Sequence, residues 1–345
     1  MMRRSLPRGQ QGFTLIELMI GMLLGVMLMA GASSIYLATK QSYVEVEQVA
    51  NLSENGRFAS QLINTSLRHV GFTGRVKAGA IEADSDLTAI PLAQDCTGRA
   101  QAYDINNYLF AVSTVGTSIL GCIDDAVAGT DVLVVKYVVP SPSYDGDPND
   151  PNAPLDGIIS FPDPGGLSGE ETYVITNNLL GTIFDGADTA PTLLTGGDIP
   201  GGVAWPYRFE VFYIRQASAN ATPQLSRKTL RWSAGAMTIA TEDLVAGVED
   251  MRLQFGRDTT GNGEVDTYSA PAATELANGW AQVHSVEAYM LIRSTNRPDP
   301  QYLDTKTYNL GAANIIPPKN DNRRRLVVHS NISLRNPKLI IRGGA

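Results

Sequence analysis

RGQQGFTLIELMIGMLLGVMLMAGASSIYLA, residues 8–38, decides how this chain is read. A secretory signal peptide places basic residues first, an apolar run second and its cleavage site last. Here the last two are inverted. Gly12, a small residue that a peptidase can accept, precedes the apolar run, and Glu17 stands five residues further on, inside it. From Leu18 to Ala38 there are no charges, and these 21 residues make about 30 Å of helix, enough to cross a bilayer core. Arg3, Arg4 and Arg8 precede the run with no acid among them, which predicts a cytoplasmic N-terminus and an exported remainder. Cleavage at Gly12 would leave the membrane segment on the mature chain.

Working outward, the helical pattern continues beyond Ala38. Tyr43, Val46, Val49, Ala50, Phe58, Leu62, Ile63, Leu67 and Val70 recur at three- and four-residue steps until Gly71, a natural terminator. Phe13 to Val70 is therefore expected to form one helix of roughly 85 Å, with Asn55–Gly56 as a point where it would bend or break. Gly21 and Gly25 form the GxxxG spacing that lets apolar helices approach closely. The second half carries one apolar stripe and needs a globular partner to cover it.

The 345 residues are 43% apolar and 18% charged, ordinary for a folded protein. Formal net charge is −8, and loss of the first twelve residues leaves 24 bases against 35 acids, or −11. Such a body repels phosphate backbones and excludes nucleic acid as a partner class. Cys96 and Cys122 are the two cysteines, and in an exported chain an even pair reads as a disulfide that stabilises by about 3–4 kcal/mol. With His69, His284 and His329 scattered, no zinc spacing exists.

QGFTLIELMIGMLLGVML resembles the N-terminus of type IV prepilins: a basic leader, Gly, Phe, then Thr-Leu-Ile-Glu inside an apolar run. The resemblance implies cleavage between Gly12 and Phe13 by a prepilin peptidase, methylation of the new Phe13 amine, and pairing of Glu17 with a neighbouring subunit's N-terminal amine. A lone acid near a bilayer centre costs about 2.5–3.5 kcal/mol, which an opposite charge in a fibre core would offset. Many major pilins carry a proline within this helix. The apolar run here has none, which suits a minor subunit.

From Phe72 the texture changes to short β-rich runs split by Gly, Pro, Asn and Asp. Strands are expected at Asp131–Val139, Glu171–Thr176, Arg208–Arg215, Gln282–Arg293 and Arg324–Leu334, with a short helix at Ala272–Ala277. In the fourth, His284, Val286, Ala288, Met290 and Ile292 share one face. Pro140 to Gly169 reads as a long surface loop dividing the body, and Gly181 to Gly202 as a second break. No strand–helix–strand repeat appears, so the sheet should be mainly antiparallel. The expected fold is α+β and type IV pilin-like: a leader at 1–12, a long helix at 13–70 whose first half spans the membrane, and a mainly antiparallel β-rich body at 71–345 with two lobes.

Several segments of the body resemble the PilW-type minor pilins: YRFEVFYIR, LVAGVEDMRLQFGRD, GNGEVDTY, WAQVHSVEAYMLIR and RRRLVVHSNISLRN. That resemblance implies a structural subunit that helps start the pilus and sits at its tip with other minor pilins and the major pilin, presenting a PilY-type adhesin. It would begin as a single-pass inner-membrane protein with a periplasmic body.

No nucleophile elbow, Walker loop or dinucleotide fingerprint is present, so no enzyme activity is expected. His284 reads as a core or interface residue, and the Arg323–Arg325 run as a solvated strand edge. One stretch suits an ion. In RDTTGNGEVDTY, Asp258, Thr260, Asn262, Gly263, Glu264 and Asp266 fall at positions 1, 3, 5, 6, 7 and 9 of a calcium-type loop, although Ser269 replaces the bidentate glutamate at 12. The competing reading is a hairpin loop rich in turn formers. Two further functions share features of the sequence: a minor pseudopilin of a type II secretion system, and a membrane-tethered, calcium-dependent binding protein. Convergent ionisable residues in a body pocket would favour the latter.

Overall fold

The computed structural model describes residues 12–84, 95–295, 298–311 and 314–337. The expected leader, with Arg3, Arg4 and Arg8, lies outside them apart from Gly12. The structure divides into two units, Met1–Asn51 and Leu52–Ala345. Helix α1, Leu15–His69, begins in the first and ends in the second.

In the first unit every described residue from Gly12 to Glu47 is exposed. Among the described residues, α1 is the one helix long and apolar enough to cross a membrane. A side chain added at Gly21, Gly25 or Gly31 would meet nothing, so these glycines leave flat, open helix surface.

In the second unit the last turns of α1 bury Leu52, Ala59, Ile63 and Leu67, one stripe at steps of seven, four and four. The helix does not break at Asn55–Gly56. Gly56 lies within that stripe, where its missing side chain lets the helix approach the body. The helix stops as expected at Gly71, whose φ of 75° suits a residue without Cβ.

Fourteen strands are described. They are β1 (Ile81–Ala83), β2 (Leu109–Ser113), β3 (Asp131–Val138), β4 (Thr172–Thr176), β5 (Gly181–Asp185), β6 (Val203–Arg215), β7 (Gln224–Ser233), β8 (Ala236–Ala246), β9 (Val248–Arg257), β10 (Thr267–Ser269), β11 (Val283–Arg293), β12 (Tyr308–Asn309), β13 (Ile315–Ile316) and β14 (Arg325–Ser333). Helix α2, Pro271–Leu276, separates β10 from β11. The first sheet runs β1-β5-β4-β6-β3-β2, with β7 and β8 continuing from β6. β6 is its spine: Val203–Pro206 pairs with β4, Tyr207–Phe212 with β3, and Glu210–Arg215 with β7. The second sheet is β10-β9-β11-β14, and β12 with β13 forms a small ribbon. Every pairing is antiparallel except β1 with β5.

Leu52–Ala345 is one compact unit containing two main hydrophobic cores. The larger joins Ile63 and Leu67 of α1 to β3, β6, β9 and β11. β3, DVLVVKYV, is buried along its whole length, as a valine-rich central strand should be. The smaller holds Ile159, Tyr173, Ile175, Phe184, Leu193, Ile199 and Ala204. The loop from 140 to 169 supplies Ile159 to it and returns to β6 through mutual backbone bonds between Ser143 and Ala204. The two expected lobes thus correspond to two cores in one unit.

Cys96 and Cys122 form a disulfide. Beside it the buried Lys136 ammonium donates to the carbonyls of Arg99 at 2.8 Å and Asp104 at 2.7 Å, fixing the disulfide-bearing loop to β3.

Two further expectations are corrected. The break at 181–202 begins with β5, which pairs with β4 and β1. The Arg323–Arg325 run is no solvated edge. Arg325 is buried at the junction of Glu249 (2.6 Å), Asp304 (2.7 Å) and Asp321 (2.7 Å), Arg324 stacks on Tyr302, and Arg323 donates to the Ser294 carbonyl.

Candidate functional site

The N-terminal site is built by three consecutive features. Gly12 and Phe13 are exposed and precede the helix. Thr14 then opens α1. Its N–H and hydroxyl donate to Glu17 Oε2 at 3.0 and 2.9 Å, and its Oγ1 accepts from the Glu17 N–H at 3.3 Å. This is a capping box, in which residues three apart satisfy backbone donors that a helix start leaves unpaired. Glu17 thus acts locally, its carboxylate closing the first turn at the positive end of the helix. The Thr-x-x-Glu signal was legible in TLIE, although sequence reasoning gave Glu17 only an intersubunit role.

The other end of α1 is fixed by residues near the C-terminus. Asn336 Nδ2 reaches the carbonyls of Arg68, His69 and Val70 at 3.4, 3.4 and 3.1 Å, covering acceptors that a helix end leaves open. Pro337 lies against Gly71, where a Cβ would come within 2.9 Å of the proline ring. The segment ending in SLRN therefore clamps the last turn of α1 to the body. No local pattern announces a contact so distant in sequence.

The Asp258–Asp266 loop closes on itself. Asp258 accepts the N–H groups of Gly261 and Gly263, each at 2.6 Å, and Asp266 accepts those of Thr259 (2.7 Å) and Thr260 (3.0 Å). Thr260 touches both carboxylates, while Asn262 Oδ1 accepts from the Glu264 N–H. Burial raises the Asp258 pKa, but the Gly263 and Gly261 donors and nearby His284 outweigh it, leaving the carboxyl below its usual range. His284 is buried as expected, with Nδ1 3.8 Å from Asp258. Among the described residues, no group of three or more His, Cys, Asp or Glu is placed to hold a metal ion. The structure brings Asp258, Thr260 and Asp266 together, but around backbone donors.

A cavity of about 450 Å³ is lined by His69, Tyr137, Glu171, Arg208, Glu210, Arg227 and Glu242. Sequence reasoning had no signal for it, because the lining comes from α1 and several separated strands and loops. Its charges pair with one another: Arg208 with Glu171 (3.2 Å), and Arg227 with both Glu210 and Glu242. The Arg227 pairs cross-link β6, β7 and β8, and Arg208–Glu171 ties β6 to the segment that enters β4.

Comparison with known proteins places two families on the chain. Residues 211–336 match the type IV pilus-assembly protein W family (PilW), and residues 7–33 match the prokaryotic N-terminal methylation motif. No curated protein matches. A type IV-like pilin from Thermus thermophilus is similar at 13% identity, over 50% of this chain and 86% of that one, with a TM-score of 0.25.

Proposed function

From its membership of the PilW-type, type IV pilin-like proteins, which are structural and not enzymes, we propose that this chain acts as a minor subunit in the initiation and tip of a type IV pilus. Such a protein is processed by a prepilin peptidase, anchored through its apolar helix and assembled with other pilins. In the finer reading the body is held on the periplasmic side of the inner membrane before assembly. The subunit then lies with other minor pilins and presents a PilY-type adhesin.

The observation that carries this reading is Glu17, placed at the head of an exposed apolar helix shortly after Phe13. After cleavage the Phe13 amine becomes a cation four residues from Glu17. Each subunit would then offer one positive and one negative group at the same end of the helix. In a fibre core these groups can pair between neighbours, and the pairing offsets the cost of taking Glu17 out of water. Pairing would draw the carboxylate away from Thr14, so the capping box is the resting arrangement of the unassembled subunit.

Glu17→Ala tests it. The variant should insert and be cleaved, yet accumulate in the inner membrane instead of entering pili. Pili that carry the variant at wild-type levels would remove the pairing role. Deleting the gene separates the pseudopilin reading, which requires lost protein secretion with surface pili intact.

A further inference from the structure

β8 is an end strand of the first sheet, and among the described residues it pairs only with β7. The two-residue turn Ala234–Gly235 fixes which backbone groups face outward. Ser233 and Ala236 close the hairpin as a hydrogen-bonded pair, and pairs alternate from there. The N–H and C=O groups of Met237, Ile239 and Thr241 therefore point away from β7.

Exposed edges are normally blunted by charge, proline or a bulge. On β8 those devices crowd the C-terminal half, where Glu242 and Asp243 lie and where the β7 register shifts between Leu225 and Ser226. The first half, AMTIAT from Ala236 to Thr241, has no charge, no proline and a regular register.

We propose that this half-strand adds to the same strand of a second copy of the chain, antiparallel, across a two-fold axis at Ile239. The sequence is complementary to itself in that register. Ile239 faces Ile239 of the second copy, Met237 faces Thr241, and Thr238 faces Ala240. Glu242 then falls opposite Ala236 and Asp243 opposite Gly235, so no acid meets an acid. Both acids are already held by this chain's own arginines, Glu242 by Arg227 and Arg231, and Asp243 by Arg215. The edge therefore presents no unbalanced charge to a partner, and main-chain bonds supply the contact. A two-fold contact closes on itself and cannot propagate, so the pair is a state of subunits outside a fibre.

The test uses the full chain in its membrane, with single cysteines introduced on β8. Mild oxidation of Ile239→Cys should give a disulfide-linked dimer, because facing residues lie about 5.5 Å apart between Cα atoms. Thr238→Cys alone should give roughly tenfold less, since it faces Ala240. Thr238→Cys mixed with Ala240→Cys should recover the dimer, because that facing non-hydrogen-bonded pair stands about 4.5 Å apart between Cα atoms, within disulfide reach. This recovery also shows that the variants fold. Equal yields from Ile239→Cys and Thr238→Cys would indicate random collision and overturn the proposal. So would no dimer from any of them, or a cross-link to a different protein.

Discussion

Gly56 lies directly against Val328: a methyl group placed on Gly56 would stand 2.5 Å from Val328 Cγ2 and 3.1 Å from Ile292 Cδ1. That distance is well inside van der Waals contact, so the glycine is what allows α1 to lie on the second sheet. Gly56→Ala should therefore destabilise the body by about 1–3 kcal/mol, even though alanine gains up to about 1 kcal/mol in helix propensity. Val328→Ala in the same chain should restore part of the loss by making room. Denaturant unfolding of the single and double variants measures this, and a Gly56→Ala chain as stable as wild type would deny the contact.

The Arg325 side chain is 2% exposed and faces three carboxylates. Asp304, fully buried, also accepts from Tyr308 at 2.8 Å. Arg325→Met leaves buried Asp304 without its cation and Glu249 with Arg293 alone, and should cost about 3–5 kcal/mol. Asp321 is 40% exposed, so Asp321→Asn should cost under about 1 kcal/mol. Equal losses from the two variants would contradict a buried junction centred on Arg325.

Lys136 gives a pH dependence. Burial pulls its pKa down to about 8, with Asp104 and Asp95 partly opposing, whereas an unfolded lysine titrates near 10.5. The unfolded chain thus holds this proton over a range where the folded chain has lost it, and stability rises with pH. Relative to Lys136→Met, the wild type should gain on the order of 3 kcal/mol between about pH 8 and 10.5. Chemical unfolding of both chains across that range measures it. A constant difference would mean that Lys136 titrates normally in the fold.

For the Asp258–Asp266 loop, the carboxylates already accept backbone donors, so thermal unfolding in millimolar calcium and in chelator should share one midpoint. A midpoint raised by calcium, and not raised in Asp258→Ala with Asp266→Ala, would support the calcium reading of the spacing. The lowered Asp258 pKa sets a second signature. Its contribution is present above the ordinary carboxylate range and is lost as pH falls through the lowered value. The advantage of wild type over Asp258→Asn should fade on acidification.

Much of this architecture is legible in the residues, and the failures have physical causes. The apolar run and the inverted cleavage site announce the N-terminal segment. β3, β11 and β14 were found because β-branched residues run or alternate there. The β7–β8 hairpin was missed because its strands are charged and half-exposed, and because Ala234–Gly235 makes the turn without the usual Asn or Asp. Ala234 adopts a φ of 53° there, which a sequence pattern does not advertise. β5 was hidden among glycines. The Arg325 junction draws on Glu249, Asp304 and Asp321, which are distant or unremarkable in sequence, so an arginine run looked like surface. At the N-terminal end the Thr14–Glu17 cap is readable in TLIE, whereas the Asn336 clamp depends on a long-range contact.

On the function proposed above, the chain is a processed pilin-like subunit whose mature start is set by Gly12. The most direct measurement is the N-terminal sequence and mass of the membrane-bound protein. A mature chain beginning at Phe13 with a methylated amine is expected, and an uncleaved precursor from Gly12→Val. A mature chain starting anywhere else, or Gly12→Val cleaved as readily as wild type, would contradict it.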